Sequence, residues 1–330
     1  MRKPRLKLVD TPAIYHCGSH LCGGAELLQP SDRTQFERLM WAHARFCGLQ
    51  IINHCVMHNH FHLVIFVPAS SEATWSDEVA VQRVREFYSE KSPFRKRVEA
   101  SFEDGKLPEK LRQQLQARTG DISIFMKELK QRFSGWFNQV HGRFGTLWAD
   151  RFYSAIVEEG HGALGRVSRY VDLNPVRHAG IGDPADYEWS GYGRAVRGHP
   201  EARAGLMRVM QMDNWEEASR QYRMALFLAG GVSGHSDKMV LDPERIRQVL
   251  KEGGQLTEHT ALLMELPCLI RGGVIGSEAF VEGLFNQFRE LLGVRQRKQA
   301  KGSRPLRGVP FEGLHVLNIM RKPDIELDLK

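Results

Sequence analysis

Two histidines flank one apolar residue at the start of the otherwise apolar segment 60–66. Side chains of a strand alternate between its two faces, so His60 and His62 share one face while Phe61 lies on the other. Two imidazoles held side by side on a stiff strand can bind one metal ion. The pattern therefore predicts half of a metal site, although an isolated pair of this kind is also compatible with a structural or surface role.

A second group of candidate residues lies in the segment 169–177, where a helix is predicted to end against Pro175. Tyr170 and Asn174 are four residues apart, so they share one face of that helix. The amide oxygen of Asn174 can serve as third ligand to a metal held by the histidine pair, with Tyr170 one helical turn away. A phenol with a pKa of about 10 is a weak nucleophile, so attack on phosphorus needs positioning and a nearby cation.

Composition limits the class of protein. At 330 residues the chain is long enough for two domains, and its 42% hydrophobic residues can form a core. Lys and Arg total 46 against 39 Asp and Glu, which gives a net charge of +7 and a pI near 9.2. This balance favours a polyanionic partner, although many basic proteins bind nothing anionic.

Cysteine usage and the terminal sequence indicate a cytoplasmic protein. The five cysteines include no CxxC pair, so neither a disulfide framework nor a zinc ribbon is supported. The grouping of Cys17, Cys22, His16 and His20 matches no standard zinc site. The basic N-terminus is interrupted by acidic and proline residues, unlike a signal peptide, and no apolar run approaches the ~18 residues of a membrane span.

The order of predicted elements is strand, helix, strand, strand, helix, strand, helix. It predicts an α+β fold with a ferredoxin-like antiparallel sheet and helices on one face. The predicted strands are 13–20, 49–56, 60–67 and about 153–157, and the predicted helices run from 31 or 32 to 48, from 121 to about 141, and from about 162 to 173. A charged segment of about 70–120 is interpreted as a helical insertion.

The remainder of the chain, 196–330, is predicted to be a mostly helical accessory region, separate from a catalytic domain at 1–195. Helices are expected at 215–228, 243–252 and 278–292, each bounded by capping residues or glycines. The end of this region is basic. Such a run is by default a solvated tail, and if it binds DNA its contribution should be sensitive to salt and largely independent of sequence.

Three stretches together resemble the REP-associated tyrosine transposases, members of the single-tyrosine HUH superfamily of single-strand DNA transposases. They are the HxH segment following 57–59, the segment 145–152 and the segment 169–177. The resemblance covers about 6–192. It implies a ferredoxin-like fold, Tyr170 as nucleophile, and a divalent cation, Mg²⁺ or Mn²⁺, bound by His60, His62 and Asn174. The relatives cleave and rejoin single-stranded DNA beside hairpins formed by repetitive extragenic palindromes.

Alternatives remain open for the individual residues. Tyr153 is a rival nucleophile because it follows Arg151 closely, and Tyr170 is preferred because Asn174 accompanies it. Taken alone, Tyr170 is compatible with a half-buried helix tyrosine, and Asn174 with a side chain that caps the helix end. The family usually has proline where this chain has His58, so either the turn differs or a third imidazole lies near the metal.

Several basic residues are candidates for contact with DNA. Their positions in the motifs or in the basic termini favour phosphate binding, while an ordinary solvated surface is the alternative. The candidates are Arg2, Arg5, Arg143, Arg151, Arg177, Arg295, Arg297, Lys298, Lys301 and Arg304.

The predicted function is metal-dependent cleavage and rejoining of single-stranded DNA at hairpin-forming, REP-like sequences through a 5′-phosphotyrosine intermediate. A catalytically silent protein that binds palindromic DNA, and a metal-dependent phosphoesterase that activates water, are the alternatives. Two imidazoles intrinsically favour Mn²⁺, Co²⁺ or Zn²⁺ over Mg²⁺, which prefers oxygen ligands. The protein is expected to be cytoplasmic and nucleoid-associated, without a membrane partner, and a monomer or a homodimer.

Overall fold

The strands and helices of the chain are known from a computed structural model. It describes residues 6–8, 10–24, 26–69, 75–160, 162–230, 241, 244, 246–247, 273–288, 304–305 and 314–318. The strands are β1 (Ala13–His20), β2 (Gln50–Val56), β3 (His60–Val67), β4 (Tyr153–Val157), β5 (Gly273–Gly276), β6 (Arg304–Pro305) and β7 (His315–Asn318). The helices are α1 (Pro30–Cys47), α2 (Asp77–Phe87), α3 (Pro93–Ala100), α4 (Glu109–Gln116), α5 (Ile122–Val140), α6 (Ala163–Asp172), α7 (Asn174–Ala179), α8 (Gly191–Val196), α9 (Pro200–Met210), α10 (Trp215–Gly230) and α11 (Glu278–Gln287).

One mixed sheet organises these elements, in the strand order β2-β3-β1-β4-β5-β7-β6. Its first four strands pair antiparallel throughout, which is the ferredoxin-like arrangement of a βαββαβ chain. The predicted fold class is therefore confirmed. Beyond β4, the parallel strand β5 and the antiparallel pair β7 and β6 lengthen the sheet. The described part of 196–330 thus supplies three short strands in addition to the helices that the sequence predicts.

Helices cover both faces of the four-stranded part. On one face, the ring of Phe61 lies 4.7 Å from that of Phe36 in α1, and Phe36 lies 5.1 Å from Phe133 in α5. On the other face, the Tyr170 ring of α6 lies 5.3 Å from the ring of His62. The sequence places the helices on one face only, because the amphipathic pattern of a helix does not tell which face of a sheet it covers.

Local sequence fixes the ends of the two long helices. Asp121 caps α5, because its Oδ1 accepts the backbone N–H groups of Ser123 (2.7 Å) and Ile124 (3.0 Å). The α1 helix begins with Pro30 in its first turn and ends at Gly48, whose φ of +68° is readily adopted only by glycine. Gly48 ends α1 as the sequence predicts, whereas α1 begins at Pro30 with Gln29 as its N-cap, ahead of the Ser31 or Asp32 predicted to cap it.

A buried carboxylate ties α6 to its neighbours. Asp172 Oδ2 accepts hydrogen bonds from Asn53 Nδ2 in β2 (2.7 Å) and from the Tyr222 hydroxyl in α10 (2.6 Å), and its Oδ1 accepts the backbone N–H of Tyr192 in α8 (3.1 Å). Burial raises the pKa of Asp172 to about 6, although these three donors stabilise the charged form. The helix that carries Tyr170 is therefore held against the sheet by residues far apart in the sequence.

The region after 195 also contacts the sheet directly. A Cβ atom on Gly205 of α9 would lie 2.2 Å from the carbonyl oxygen of Ile52, so α9 approaches β2 closely enough to require glycine. Helix α10 confirms the predicted helix at 215–228, and α11 matches the first part of that at 278–292. The predicted helix 243–252 lies outside the described residues except at 244, 246 and 247. The division of the chain at 195 stays a prediction.

No helix in the described ranges is long and apolar enough to cross a membrane.

Candidate functional site

Three neighbouring strands place their polar side chains on one face of the sheet. In the register of β1 with β3, His20 is opposite His60 and Gly18 is opposite His62. In the register of β1 with β4, Gly18 is also opposite Tyr153. Paired residues point to the same face, so these side chains form a row across the sheet. Helix α6 covers this row.

The first histidine of the motif is fixed by a hydrogen bond in the β2–β3 turn. His60 Nδ1 lies 2.6 Å from Asn59 Oδ1, and Asn59 Nδ2 donates to the carbonyl oxygen of Gly24 (3.1 Å). The amide nitrogen of Asn59 bonds to Gly24, so the amide oxygen is the atom that accepts from Nδ1–H of His60. Nε2 of His60 is therefore assigned the lone pair with which the ring can bind a ligand. Asn174 is hydrogen-bonded to the same side chain, and burial with the adjacent imidazoles of His20 and His178 lowers the pKa of His60 to about 3.

The second histidine is more deeply buried. His62 Nδ1 lies 2.8 Å from the Tyr153 hydroxyl and 3.1 Å from His16 Nε2. Burial, with His60 and His16 close by, holds the pKa of His62 well below its ordinary value. The imidazole is therefore neutral at physiological pH, the form that can bind a metal. Its Nδ1 partners orient the ring, as the outer partners of metal-binding histidines commonly do.

The tyrosine of α6 lies beside this pair. The Tyr170 ring packs nearly perpendicular to the ring of His62, with the centroids 5.3 Å apart. Asn174 Nδ2 donates to the carbonyl oxygen of Tyr170 (2.9 Å), so the amide is held one turn after the tyrosine. Burial raises the pKa of Tyr170 to about 12, opposed by Arg177 and by a hydrogen bond with Asn174. The structure thus brings together the tyrosine, the histidine pair and the asparagine selected from the sequence.

Arg177 places a positive charge at the tyrosine. Its guanidinium carbon lies 5.8 Å from the centre of the Tyr170 ring. Its Nη1 is buried and has no hydrogen-bond partner within the described ranges. Burial lowers its pKa to about 10, so the group stays charged at neutral pH. A buried guanidinium donor without a partner is a binding position for an anion such as a phosphate oxygen.

No protein-family model matches the chain, and a search of curated proteins finds no match. One solved structure to which the chain is similar is described as a REP-associated tyrosine transposase bound to a REP hairpin. The two share 15% sequence identity with a TM-score of 0.38, over 60% of this chain and 87% of that chain.

The donor set fits a borderline divalent cation. Two neutral imidazoles and an amide approach one another, and no carboxylate or thiolate joins them: the described residues contain no group of three His, Cys, Asp or Glu able to hold a metal. Nitrogen ligands favour Mn²⁺ over Mg²⁺. The grouping of Cys17 and Cys22 with His16 and His20 forms no such group either, so the zinc interpretation gains no support.

The other candidate basic residues lie elsewhere. Arg143 and Arg151 belong to the loop between α5 and β4, where Arg143 lies 5.7 Å from the ring of Phe137 and Arg151 is exposed. Arg304 lies in the short strand β6. The remaining candidates are outside the described residues: Arg2, Arg5, Arg295, Arg297, Lys298 and Lys301.

His58 lies in the turn between β2 and β3, where its carbonyl oxygen accepts the backbone N–H of Leu28 (2.9 Å). Its side chain is partly exposed, and burial together with the charge of Arg33 lowers its pKa. His58 is thus a neighbour of His60 that shares the same turn.

Four residues contact the histidine pair in ways that the sequence did not predict: His16, His20, Tyr153 and His178. One signal for two of them is present. His16 and His20 alternate on β1 as His60 and His62 do on β3, so a register that pairs the strands brings all four imidazoles onto one face. The sequence marks Tyr153 only as a rival nucleophile, and its contact with His62 has no local signal because it depends on the glycine between them.

Gly18 permits the contact between Tyr153 and His62. A Cβ atom at this position would lie 2.0 Å from the Tyr153 phenol oxygen. Gly18→Ala is therefore expected to displace Tyr153 from His62 and to lower the free energy of unfolding by ~1–3 kcal/mol, the range for an overpacked site. Urea unfolding measures the loss. The double variant with Tyr153→Ala should lose less than the sum of the single changes, whereas additive losses contradict the contact.

Proposed function

We propose that this chain is a metal-dependent nuclease and strand transferase for single-stranded, hairpin-forming DNA, with Tyr170 as nucleophile. The observation that carries the proposal is the convergence of Tyr170 and Asn174 with the pair His60 and His62, which are more than a hundred residues away in the chain. These are the residues to which the resemblance to REP-associated tyrosine transposases assigns catalysis. The basic net charge of +7 is consistent with a polyanionic substrate.

The proposed reaction is an exchange of phosphodiester bonds. The Tyr170 phenol oxygen attacks the scissile phosphorus, the bond from phosphorus to the 3′ oxygen breaks, and the departing 3′ oxygen takes up a proton as the phenol loses its own. The strand is left with a 3′ hydroxyl and a 5′ phosphate attached to the protein. A 3′ hydroxyl can then attack the phosphotyrosine and release the phenol, so no external energy source is needed to rejoin DNA.

Without substrate, the protein holds Tyr170 in its protonated, unreactive form, because burial raises the pKa of the phenol to about 12. Arg177 opposes this effect and offers an unpartnered donor for a non-bridging phosphate oxygen. Binding of the substrate phosphate by Arg177 therefore places the reacting phosphorus at the ring that must be deprotonated.

A divalent cation would be held by His60, His62 and Asn174. When bound, it supplies charge stabilisation to the phosphate and favours the phenolate. The neutral states of both imidazoles suit this role, since a protonated histidine cannot be a ligand.

The proposed function is tested by trapping the covalent adduct. The full-length chain is incubated with a hairpin oligonucleotide labelled at its 3′ end, with Mn²⁺ or Mg²⁺, and separated under denaturing conditions. A labelled protein band is expected, and peptide mass spectrometry should place the nucleotide on Tyr170 and not on Tyr153, the tyrosine hydrogen-bonded to His62. Hydrolysed DNA without an adduct would indicate a phosphoesterase, and binding without cleavage would indicate a silent DNA-binding protein.

Metal binding by the chain alone gives a separate prediction. His60→Gln and His62→Gln are each expected to weaken Mn²⁺ binding by ~100-fold or more, because loss of a direct ligand exceeds the ~10–100-fold typical of outer partners. His178→Gln is the matched control, since His178 is an exposed neighbour whose ring lies 6.1 Å from that of His60. Calorimetric titration with MnCl₂ measures the affinities. Equal losses in all three variants would contradict the ligand assignment.

A further inference from the structure

The loop between α5 and β4 presents an aromatic side chain to solvent. Phe144 is 97% exposed, more than the other exposed large hydrophobic residues of the described ranges. Val140, one helical turn earlier, is 58% exposed. Phe144 lies between Gly142 and Gly145, whose φ values are +59° and +87°. A Cβ atom added at either glycine would meet no atom within 4 Å. Burying a Phe side chain stabilises a fold by ~1.5–3 kcal/mol. Phe144 gains none of this in the isolated chain because it stays exposed.

Hydrogen bonds fix this loop next to the catalytic row. The backbone N–H of Ala149 donates to the carbonyl oxygen of His20 (3.0 Å), and Asn138 Nδ2 donates to the carbonyl oxygen of Gly145 (2.9 Å). His20 in turn stacks on His60, with the ring centroids 5.1 Å apart. Phe144 is five residues from Ala149, a span of at most ~18 Å, which is the reach of a few nucleotides. The base of the loop is therefore tied to the end of β1 at which His20 pairs with His60, and Phe144 lies within ~18 Å of Ala149.

The groups around Phe144 match the chemistry of single-stranded DNA. Arg143 precedes it, and the buried Nη1 of this arginine has no hydrogen-bond partner within the described part of the chain. Arg151 is exposed on the same loop. An exposed aromatic side chain next to one arginine in the sequence, on a loop that carries a second, suits a nucleobase and its phosphate, because every base has a face on which an aromatic ring can stack.

We propose that Phe144 is a base-stacking residue that holds an unpaired nucleotide beside the cleavage site, with Arg143 bound to an adjacent phosphate. The inference rests on the proposed DNA substrate and identifies a contact that selects single-stranded over paired DNA. A protein partner fits this surface less well. One ring buries ~200 Å², and a stable protein interface needs ~800 Å² per partner.

The test uses the full-length chain carrying Tyr170→Phe, so that DNA is bound and not cut. The probe is a hairpin with single-stranded extensions that carry 2-aminopurine at successive positions. Stacking on Phe144 should quench the fluorescence at one unpaired position. Phe144→Ala should abolish that quenching and weaken binding about tenfold, within the range for loss of one stacked base. Phe144→Trp should preserve both, and Val140→Ala is the matched control for loss of an exposed apolar side chain from the same surface.

The outcomes separate this inference from the proposed function. Unchanged affinity and an unchanged quenching profile in Phe144→Ala overturn the stacking role, even where the Tyr170-containing chain forms an adduct. If the chain with Tyr170 never forms an adduct but Phe144→Ala still abolishes the quenching, the stacking role is supported and the proposed nuclease function is rejected. If light scattering shows that Phe144→Ala converts a dimer to a monomer and leaves the affinity for the probe unchanged, the residue belongs to a self-association surface and the proposal is wrong.

Discussion

Replacing Tyr170 with phenylalanine is expected to abolish both the covalent protein–DNA adduct and strand cleavage. The change removes only the phenol oxygen that the proposed reaction joins to phosphorus. The ring still packs against His62, and the hydrogen bond lost to Asn174 is worth ~1 kcal/mol, so the fold and DNA binding should survive. Denaturing gels with 3′-labelled hairpin DNA measure the adduct, and fluorescence anisotropy measures the binding.

Tyr153→Phe is the matched control because it removes the other phenol at the same histidine. Its hydroxyl lies 2.8 Å from His62 Nδ1, so this variant should lose orientation of the imidazole and react more slowly, yet still form the adduct. Raising the Mn²⁺ concentration should recover part of its rate if the loss is one of metal binding. An adduct in Tyr170→Phe that disappears in Tyr153→Phe would reverse the two roles.

The elements that the sequence predicted correctly are those with their own hydrophobic pattern. The helix at 121–141 shows the repeat of an amphipathic helix, the strand at 153–157 ends in a short apolar run, and the structure places α5 and β4 there. Strands β5, β6 and β7 have two to four residues. Such short strands are stabilised by pairing with β4 and with one another, which leaves little local pattern to detect.

Pro175 shows how a correct physical rule can miss an element. Helix α6 ends at Asp172, close to the predicted end at 173, but Asn174, where the rule predicts non-helical backbone, is itself helical. Proline is nevertheless well tolerated in the first turn of a new helix, and α7 begins at Asn174 directly after the break. This second helix carries both Asn174 and Arg177, so the break sets the position of two candidate site residues relative to Tyr170.

Part of the candidate site could be predicted within single elements, and part depends on how the strands pair. The spacing of His60 with His62, and of Tyr170 with Asn174, could be read within single elements. The contacts of His62 with His16 and Tyr153 arise from the register of three strands, and the glycine at position 18 allows the Tyr153 ring to cross β1. Sequence periodicity gives the face of each strand, but it does not give the register between distant strands.

Lowering the pH from 7 to 5 in the absence of added metal is expected to reduce the contribution of His60 to the free energy of unfolding by ~2 kcal/mol. In the folded state, His60 has a pKa of about 3, and burial holds the pKa of His62 well below its ordinary value. His60 therefore stays neutral at pH 5, while the histidines of the unfolded chain take up protons below ~6.5. Stability from His60 is present above that pH and is lost as the pH falls, and the lowered pKa of His62 acts in the same direction.

Asp172 acts in the opposite direction within the same interval. Its folded pKa is raised to about 6, so on going from pH 7 to pH 5 the folded state takes up a proton that the unfolded state does not. This gain of ~1 kcal/mol partly offsets the loss from the histidine pair. Asp172→Asn should therefore steepen the loss on acidification, although it also changes a hydrogen-bonded network.

The variant His60→Gln should flatten the pH dependence by ~2 kcal/mol, and His62→Gln should flatten it in the same direction, because glutamine has no proton to take up in the unfolded chain. Urea unfolding at pH 7 and pH 5, with a chelator present, measures the difference for each protein. His178→Gln serves again as the control, since this exposed histidine lies beside the pair and not within it. Equal acid sensitivity in all the variants would mean that the pair is not held neutral by burial. The measurement involves neither DNA nor turnover, so it tests the ground state of the metal-binding residues independently of the nuclease proposal.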